Sequence, residues 1–355
     1  VTTLSGTATE VLAAFSAVAN GTLVLDNDGA VSVSGSVSVA NANTIADKTS
    51  GVVTATIAEG DTSTLATLNE TGNAYTITVT DTSATAANLT TIDAATTVAV
   101  QAGSVTTITG TSTQVMAIYA ADAAGSIVLD NDEAVTISGN ISASDLRQID
   151  AYTSGVVNVT AASTITGTST DLSAVYTAND SSNGITGLGD ESVSIVEAGG
   201  TSITDANLIN AFTTGAVTGT ISSGDISALA SLNGDESQAF TVTVTSTTVD
   251  ASSIISLENK TSVAVDLSAV QTIQGTAAEL EAVYVLSDSG LVTGLGNETL
   301  TVNQTTTVAQ LNILNAETSG AITATVQEGD YSTLNTLEGT NNVYAITLTE
   351  SITVD

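Results

Sequence analysis

The chain has 355 residues, of which 37 are acidic and three are basic, so its formal net charge at pH 7 is −34. Charge of this sign is repelled by phosphate backbones and anionic membrane surfaces and attracts divalent cations, which excludes nucleic acid as a partner. Cys and His are absent, which excludes disulfides, thiolate metal sites and the usual nucleophilic triads, while an apolar content of 42% is enough to build a core.

The first recognisable element is the phrase GTATEVLAAF at Gly6, which returns in altered form at Gly110, Gly167 and Gly275. The middle interval is close to half of the other two, so each full module has two halves. The predicted domains are module 1 at 1–109 (halves 6–59 and 60–109), a half-module at 110–166, module 2 at 167–274, and module 3 at 275–355, which is cut short. Because the chain begins without Met, we interpret it as a piece of a longer repetitive protein.

The next element is an acidic turn, LDNDGAV, which returns as LDNDEAV and, with fewer acidic residues, as GLGDESV and GLGNETL. Closely spaced carboxylate and amide oxygens suit a hard cation such as calcium. The alternative is that Asp and Asn simply form turns before a strand. The sequence predicts calcium ligands at Asp26, Asp28, Asp130, Asp132 and Glu133, with Asn27 and Asn131 beside them.

Three further signals follow within each module. Gly51, Gly155, Gly215 and Gly320 stand where a glycine commonly ends a helix. The Gly-Asp pairs at Asp61, Asp225 and Asp330 precede Ser or Thr and Leu, which predicts helix N-caps. The segments 74–81, 239–246 and 343–350 alternate apolar residues, mostly with Thr, which predicts strands with one Thr-rich face.

Helical and strand patterns alternate along the chain, as in ATAANLTTIDAATTVAV, where Leu89 and Ile92 share a helical face. Most strand centres follow one another after roughly 20 to 30 residues, which is crossover spacing for parallel strands. We therefore predict a repeat solenoid, β-rich with short helices and a parallel sheet; the alternative is a row of tandem Ig-like β-sandwiches. The predicted centres are Thr76, Thr97, Val135, Val156, Val193, Ala216, Thr241, Val263, Leu300, Ile322 and Ala345.

Aromatic residues recur at one repeat position, as Phe15, Tyr119, Tyr176 and Tyr284, which indicates packing rather than a unique site. Without His or Cys, acid–base chemistry would rest on carboxylates or Tyr. We therefore predict that the protein is not an enzyme and has no catalytic residues.

The phrases TSGVVTATIAEGD, NAYTITVTD and LTTIDAATTVAV resemble repeats of giant acidic secreted surface proteins, including adhesin-like and filament proteins, of cyanobacteria and other marine bacteria. The resemblance covers the whole chain. It implies export to the cell surface, calcium dependence, and a role in surface layers, filaments, attachment or motility. The chain lacks the nonapeptide glycines and aspartates of RTX-type calcium repeats.

The predicted function is that of an extracellular structural repeat protein in a filament, surface layer or adhesin stalk. The alternative is a calcium-dependent adhesion or glycan-binding module. Two further hypotheses are that the chain binds ice or that it belongs to a phage tail fibre. Predicted partners are other copies of the chain, joined head-to-tail or laterally, and glycans or other cell-surface components. No membrane insertion is expected, because no apolar run is long enough to span a bilayer.

Overall fold

The computed structural model describes residues 3–26, 28–179 and 184–349. Over these residues the chain is a mixed α/β protein with short helices and parallel sheets. The described strands are β1 (Thr3–Thr7), β2 (Ala30–Val37), β3 (Val53–Ile57), β4 (Ala74–Thr76), β5 (Ser83–Thr85), β6 (Val100–Gln101), β7 (Thr107–Gly110), β8 (Ile127–Val128), β9 (Ala134–Ile137), β10 (Ile141–Ser142), β11 (Val157–Asn158), β12 (Thr164–Gly167), β13 (Ile185–Thr186), β14 (Ser192–Ile195), β15 (Val217–Thr220), β16 (Ala239–Thr241), β17 (Thr248–Asp250), β18 (Val265–Asp266), β19 (Thr272–Gly275), β20 (Val292–Thr293), β21 (Thr299–Thr306), β22 (Ile322–Val326) and β23 (Val343–Ala345).

Helices connect most of these strands. The described helices are α1 (Ala8–Ala19), α2 (Val39–Ala46), α3 (Thr62–Leu65), α4 (Ala86–Ala94), α5 (Ser112–Ala124), α6 (Ala143–Tyr152), α7 (Ser169–Thr177), α8 (Ile203–Asn210), α9 (Ile226–Leu229), α10 (Ala251–Glu258), α11 (Ala277–Asp288), α12 (Val308–Glu317) and α13 (Tyr331–Leu334).

The chain divides into two units, the first formed by 1–165 with 174–188 and the second by 166–173 with 189–355. In the first unit β1, β2, β3 and β4 form one sheet in that order, and β13, β11, β9, β7 and β5 form another. Register aligns apolar residues into columns across the strands. One column runs from Ala84 through Ile108, Val135 and Val157 to Ile185. These side chains are buried and form the core behind the sheet.

The second unit has the same construction. Its strands β14, β15 and β16 lie side by side, and β17, β19, β21, β22 and β23 form a five-stranded sheet. A buried column of register partners crosses this sheet; its residues are Val249, Ile273, Leu300 and Ile322. We call a strand–helix–strand stretch such as β5-α4-β6 a coil. The core is built mainly of aliphatic side chains, each of which packs on the equivalent residue of the neighbouring coil.

Every strand pair whose register is defined among the described residues is parallel. Ig-like sandwiches require antiparallel pairs joined by hairpins, so the alternative prediction of tandem sandwiches is wrong. The parallel sheet and short helices are confirmed.

The predicted strand centres lie in strands or close to them. Thr97, Val156, Ala216 and Val263 fall one to three residues before a strand begins, and the other seven centres lie inside strands. The strands that precede the Gly-Thr helices were not predicted from the sequence; they are β1, β7, β12 and β19. Each has only four or five residues, of which Thr and Gly are the majority in three.

The strands predicted over 74–81 and 239–246 are shorter than expected, although their alternation of buried and exposed residues is confirmed. Ala74–Thr76 pairs with β3, after which the backbone turns to the next coil, where Val79 donates to the Gln101 carbonyl at 2.8 Å. The segment therefore changes partner halfway, and Thr78 forms a parallel bridge with Gln101. The Thr side chains of these segments are exposed; they are Thr76, Thr78, Thr80, Thr241, Thr243 and Thr245. Thr323 and Thr325 of β22 are exposed as well.

Helix starts follow local capping chemistry. Thr7, Thr111, Thr276 and Thr307 each cap a helix and pair with Glu or Gln three residues later, which forms a capping box. The predicted N-caps are confirmed: Asp61 accepts the Thr64 N–H at 2.9 Å, and Asp225 and Asp330 do the same for α9 and α13.

Candidate functional site

The two full acidic turns each lead into a strand. Asp26 and Asp28 lie between α1 and β2 with exposed side chains, and Asn27 lies outside the described residues. Asp130 and Asp132 lie between β8 and β9 and are also exposed. Glu133 differs from them because its side chain is 0% exposed. The residues predicted as one ligand set therefore occupy two different environments.

Glu133 uses both carboxylate oxygens inside the protein. Oε1 accepts the backbone N–H groups of Asp130 at 3.1 Å and Asn131 at 3.0 Å. Oε2 accepts the hydroxyl of Tyr119 at 3.2 Å. A buried carboxylate is stable only when donors replace its lost water, and these three bonds supply them. Glu133 thus ties the acidic turn to helix α5.

A second carboxylate holds the same turn from the helix. Asp122 Oδ1 accepts the Leu129 N–H at 2.9 Å, and its Oδ2 accepts the Asn131 side-chain amide at 3.1 Å. Asn131 itself has a left-handed backbone with φ of 57°, a conformation that Asn tolerates better than most residues. The turn is therefore fixed from two sides, while Asp130 and Asp132 project to solvent.

The second unit repeats this arrangement with different turn residues. Glu298 Oε2 accepts the N–H groups of Gly296 at 2.8 Å and Asn297 at 3.1 Å, and its Oε1 accepts the Tyr284 hydroxyl. Glu191 accepts the N–H of Gly189 at 2.8 Å in the same way. In these three turns a buried Glu accepts two successive turn N–H groups, whereas the preceding Asp and Asn residues vary.

The first repeat lacks both members of the Tyr–Glu pair. Phe15 stands where the later repeats have Tyr, and Gly29 stands where they have Glu. Phe15 and Gly29 line a small hollow beside Asp26. The hydroxyl and the carboxylate are thus absent together, as expected if the two groups stabilise each other by hydrogen bonding.

A threonine fastens the same Glu residue to the following coil. The Thr153 hydroxyl donates to the Glu133 carbonyl at 2.7 Å and accepts the Gly155 N–H at 2.9 Å. A Cβ on Gly155 would lie 2.3 Å from that carbonyl oxygen, closer than real Cβ atoms approach. The same contacts recur at Thr49, Thr213 and Thr318 with the glycines that follow them.

The prediction that these glycines end helices is therefore wrong. Helix α6 ends at Tyr152, and its C-cap Thr153 is extended. Gly155 has no left-handed φ, and neither do Gly51, Gly215 and Gly320. Glycine is needed because the backbone of the preceding coil passes too close for any side chain.

In the pairs Tyr119–Glu133 and Tyr284–Glu298, the surroundings of the hydroxyl favour a neutral tyrosine. Burial, followed by the charge of Glu133, raises the pKa of Tyr119 well above its usual range. Burial and the bond to Glu298 raise the pKa of Tyr284 likewise. Both hydroxyls therefore remain protonated and can donate to the carboxylates.

The calcium prediction concerns Asp26, Asp28, Asp130, Asp132 and Glu133. Among the described residues no group of three or more acidic side chains is arranged to hold a metal ion. Glu133 would have to give up its internal donors to bind one, whereas the four Asp side chains face solvent. Calcium binding at these positions stays a prediction.

The aromatic residues at the recurrent repeat position are packed as predicted. Tyr119, Tyr176 and Tyr284 are buried and Phe15 is half-buried. Tyr119 also stacks on Tyr152 with ring centroids 5.3 Å apart. The hydrogen bonds of Tyr119 and Tyr284 to buried Glu residues were not predicted from the sequence. The available signal was the joint change to Phe15 and Gly29.

No protein-family model matches the chain, and no curated protein is similar enough in sequence to count as a relative. In the described part of the chain, no helix has the length and apolar character needed to cross a membrane.

Proposed function

We propose that this chain is an extracellular structural repeat protein whose parallel coils stack into one α/β solenoid, serving as a filament, surface layer or adhesin stalk. The observation that carries the proposal is the set of apolar columns, such as Ala84 to Ile185, to which each coil adds one residue. A coil of this kind has no complete core of its own, so length is gained by adding coils. The division of the chain into modules that end at residues 109, 166 and 274 is part of this proposal.

The way in which the chain uses its acidic residues supports the proposal of a solvent-exposed stalk. Several carboxylates receive the N–H groups at the start of a neighbouring coil's helix, as Glu59 does for Val39 at 3.0 Å and Glu328 does for Val308 at 3.0 Å. Helix N-termini favour negative charge, so a protein made of many short helices uses acidic residues structurally. The resulting net charge keeps the stalk soluble and makes association between copies sensitive to cations.

A second candidate is calcium-dependent adhesion or glycan binding. It is favoured by one observation: Asp130 and Asp132 project from a turn that Glu133 and Asp122 hold in place. A fixed turn loses little entropy when it binds an ion or a sugar. Glycans and other cell-surface components would then be the partners, with calcium as the bridging ion.

Sedimentation velocity over a range of NaCl and CaCl2 concentrations tests the structural proposal. We expect association between copies to increase as salt screens the net charge of −34, and to increase further with calcium. Association that is insensitive to both would contradict the proposal. Adhesion to glycan-coated surfaces that is lost on chelation, with the fold intact and no self-association, would favour the second candidate.

A further inference from the structure

The last part of the second unit exposes apolar side chains. At the equivalent positions of the earlier repeats, the side chains are buried. We define the terminal face as Leu334, Leu337, Tyr344, Ile346 and Leu348. Ile346 is 41% exposed and Leu348 is 52% exposed, and the other three are partly exposed. The equivalent residues inside the chain are at most 6% exposed; they are Leu65, Leu68, Tyr75, Ile77 and Val79, and Leu229, Leu232, Phe240, Val242 and Val244.

Within the second unit, the earlier copy of this face is covered by the coil β17-α10-β18. The Phe240 carbonyl accepts the hydroxyl of Thr261 at 2.7 Å. The N–H of Val244 then donates to the Asp266 carbonyl at 2.8 Å, and the Asp266 N–H donates to Val242 at 3.0 Å. Helix α10 packs on α9 and buries Ile254 and Leu257.

The first unit covers its copy of the face with the coil β5-α4-β6 through the same bonds. The Tyr75 carbonyl accepts the hydroxyl of Thr96 at 2.7 Å. Gln101 exchanges two backbone bonds with Val79 and Ile77, at 2.8 and 3.0 Å. Helix α4 packs on α3 and buries Leu89 and Ile92, three residues apart like the corresponding pair in α10.

We propose that the terminal face is a docking surface for one further polypeptide coil with the chemistry of residues 251–266. Such a coil has two apolar residues three apart on a short helix, a Thr after the helix, and a strand residue that pairs with the backbone of Ile346 and Leu348. The proposal rests on the solenoid proposed above and names the partner that its end accepts. The same interface is built twice within the chain, which identifies the occupant.

A lipid surface fits the face less well. Asp330 and Glu328 lie beside its apolar residues in the sequence, and anionic headgroups repel acidic residues. The face also presents strand backbone at 343–345, which requires hydrogen-bonding partners that lipid tails cannot supply. A coil of the same type satisfies both the apolar and the backbone groups.

The test extends the chain by a copy of residues 251–274 after Asp355. The join preserves local sequence, because SITVD at 351–355 matches STTVD at 246–250 in four of five positions. We expect hydrogen exchange at the Leu348 amide to slow by about 100-fold, because this N–H gains the backbone partner that the equivalent Val244 N–H has in Asp266. A matched control extension carries Ile254→Asp and Leu257→Asp in the copied segment, and we expect it to leave exchange unchanged.

A longer extension, 251–298, covers the added coil on its other side, so failure of a single coil to fold does not decide the result. Unchanged exchange at Leu348 in both extended chains overturns the proposal. Slowing by the control extension as well would also overturn it, because the apolar residues would then be unnecessary. Measured on dilute protein, exchange reports docking whether or not the unextended chain forms filaments.

Discussion

Buried Glu133 and Tyr119 show how this chain uses polar groups inside an aliphatic core. The carboxylate accepts two turn N–H groups and one hydroxyl, so no buried oxygen of Glu133 lacks a donor. Tyr75 is different: its side chain is 1% exposed, and its hydroxyl has no hydrogen-bond partner among the described residues. Tyr119 and Tyr75 are both buried, but only the Tyr119 hydroxyl is hydrogen-bonded, so the two residues allow a matched comparison.

We predict that Tyr119→Phe destabilises the protein. The substitution removes the hydroxyl donor from Glu133 Oε2 and leaves a buried carboxylate with too few partners. A buried group left unsatisfied costs about 1–3 kcal/mol, and charged groups cost more. Urea unfolding followed by circular dichroism measures the loss.

Tyr75→Phe is the control for this experiment. It removes a hydroxyl that makes no bond, and Phe240 already occupies the equivalent position in the second unit. We expect unchanged or slightly higher stability. Equal losses for the two variants would show that the hydroxyl of Tyr119 does not support Glu133.

At the residue scale, sequence identified the recurring positions better than their roles. Glu133 was grouped with Asp130 and Asp132 because carboxylates close together in sequence suggest a cation. Its burial depends on helix α5, which a linear pattern does not reveal. Gly155 was interpreted as a helix end because glycine commonly stands there, whereas the close approach of Glu133 is a contact between coils.

At the scale of the element, helix starts were the most predictable feature because capping is local. Asp61 lies directly before α3 and bonds to Thr64 within the same turn. Strand lengths were less predictable, because segment 74–81 pairs first with β3 and then with Gln101. Partner choice is a property of neighbouring coils, so periodicity alone predicts one continuous strand.

The helix caps make a prediction about acid. Hydrogen bonds from Thr64 and Ser63 lower the pKa of Asp61, and equivalent bonds lower the pKa of Asp225 and Asp330. A carboxyl whose pKa is lower in the folded state stabilises the fold above its unfolded pKa, which is about 4 for Asp. That stabilisation is lost as the pH falls through the lower folded value. Thermal unfolding between neutral pH and pH 2 should show the loss.

Two variants of Asp61 separate the cap from its charge. Asp61→Ala removes the acceptor, so we expect lower stability at neutral pH. Asp61→Asn keeps an acceptor that caps nearly as well, so we expect near-normal stability and a weaker response to acid. If Asn is as harmful as Ala at neutral pH, the side-chain bond to Thr64 is not what stabilises α3.

At the scale of the whole molecule, the 20-to-30-residue strand spacing correctly predicted parallel pairing. Crossover connections need that length, and hairpins do not. Function is less accessible from sequence, because a repeated unit distributes its residues evenly and gives no single cluster. The pocket lined by residues 46–50 and Glu70 is open to solvent and mainly polar.

Electron microscopy of the purified chain, with calcium and then with a chelator, tests the structural role most directly. The proposed solenoid predicts thin, elongated particles that join into filaments with calcium and shorten when calcium is removed. Loss of filaments in an Asp130→Asn, Asp132→Asn variant would assign the ion to the acidic turn. Separate rounded particles under every condition would contradict the structural role.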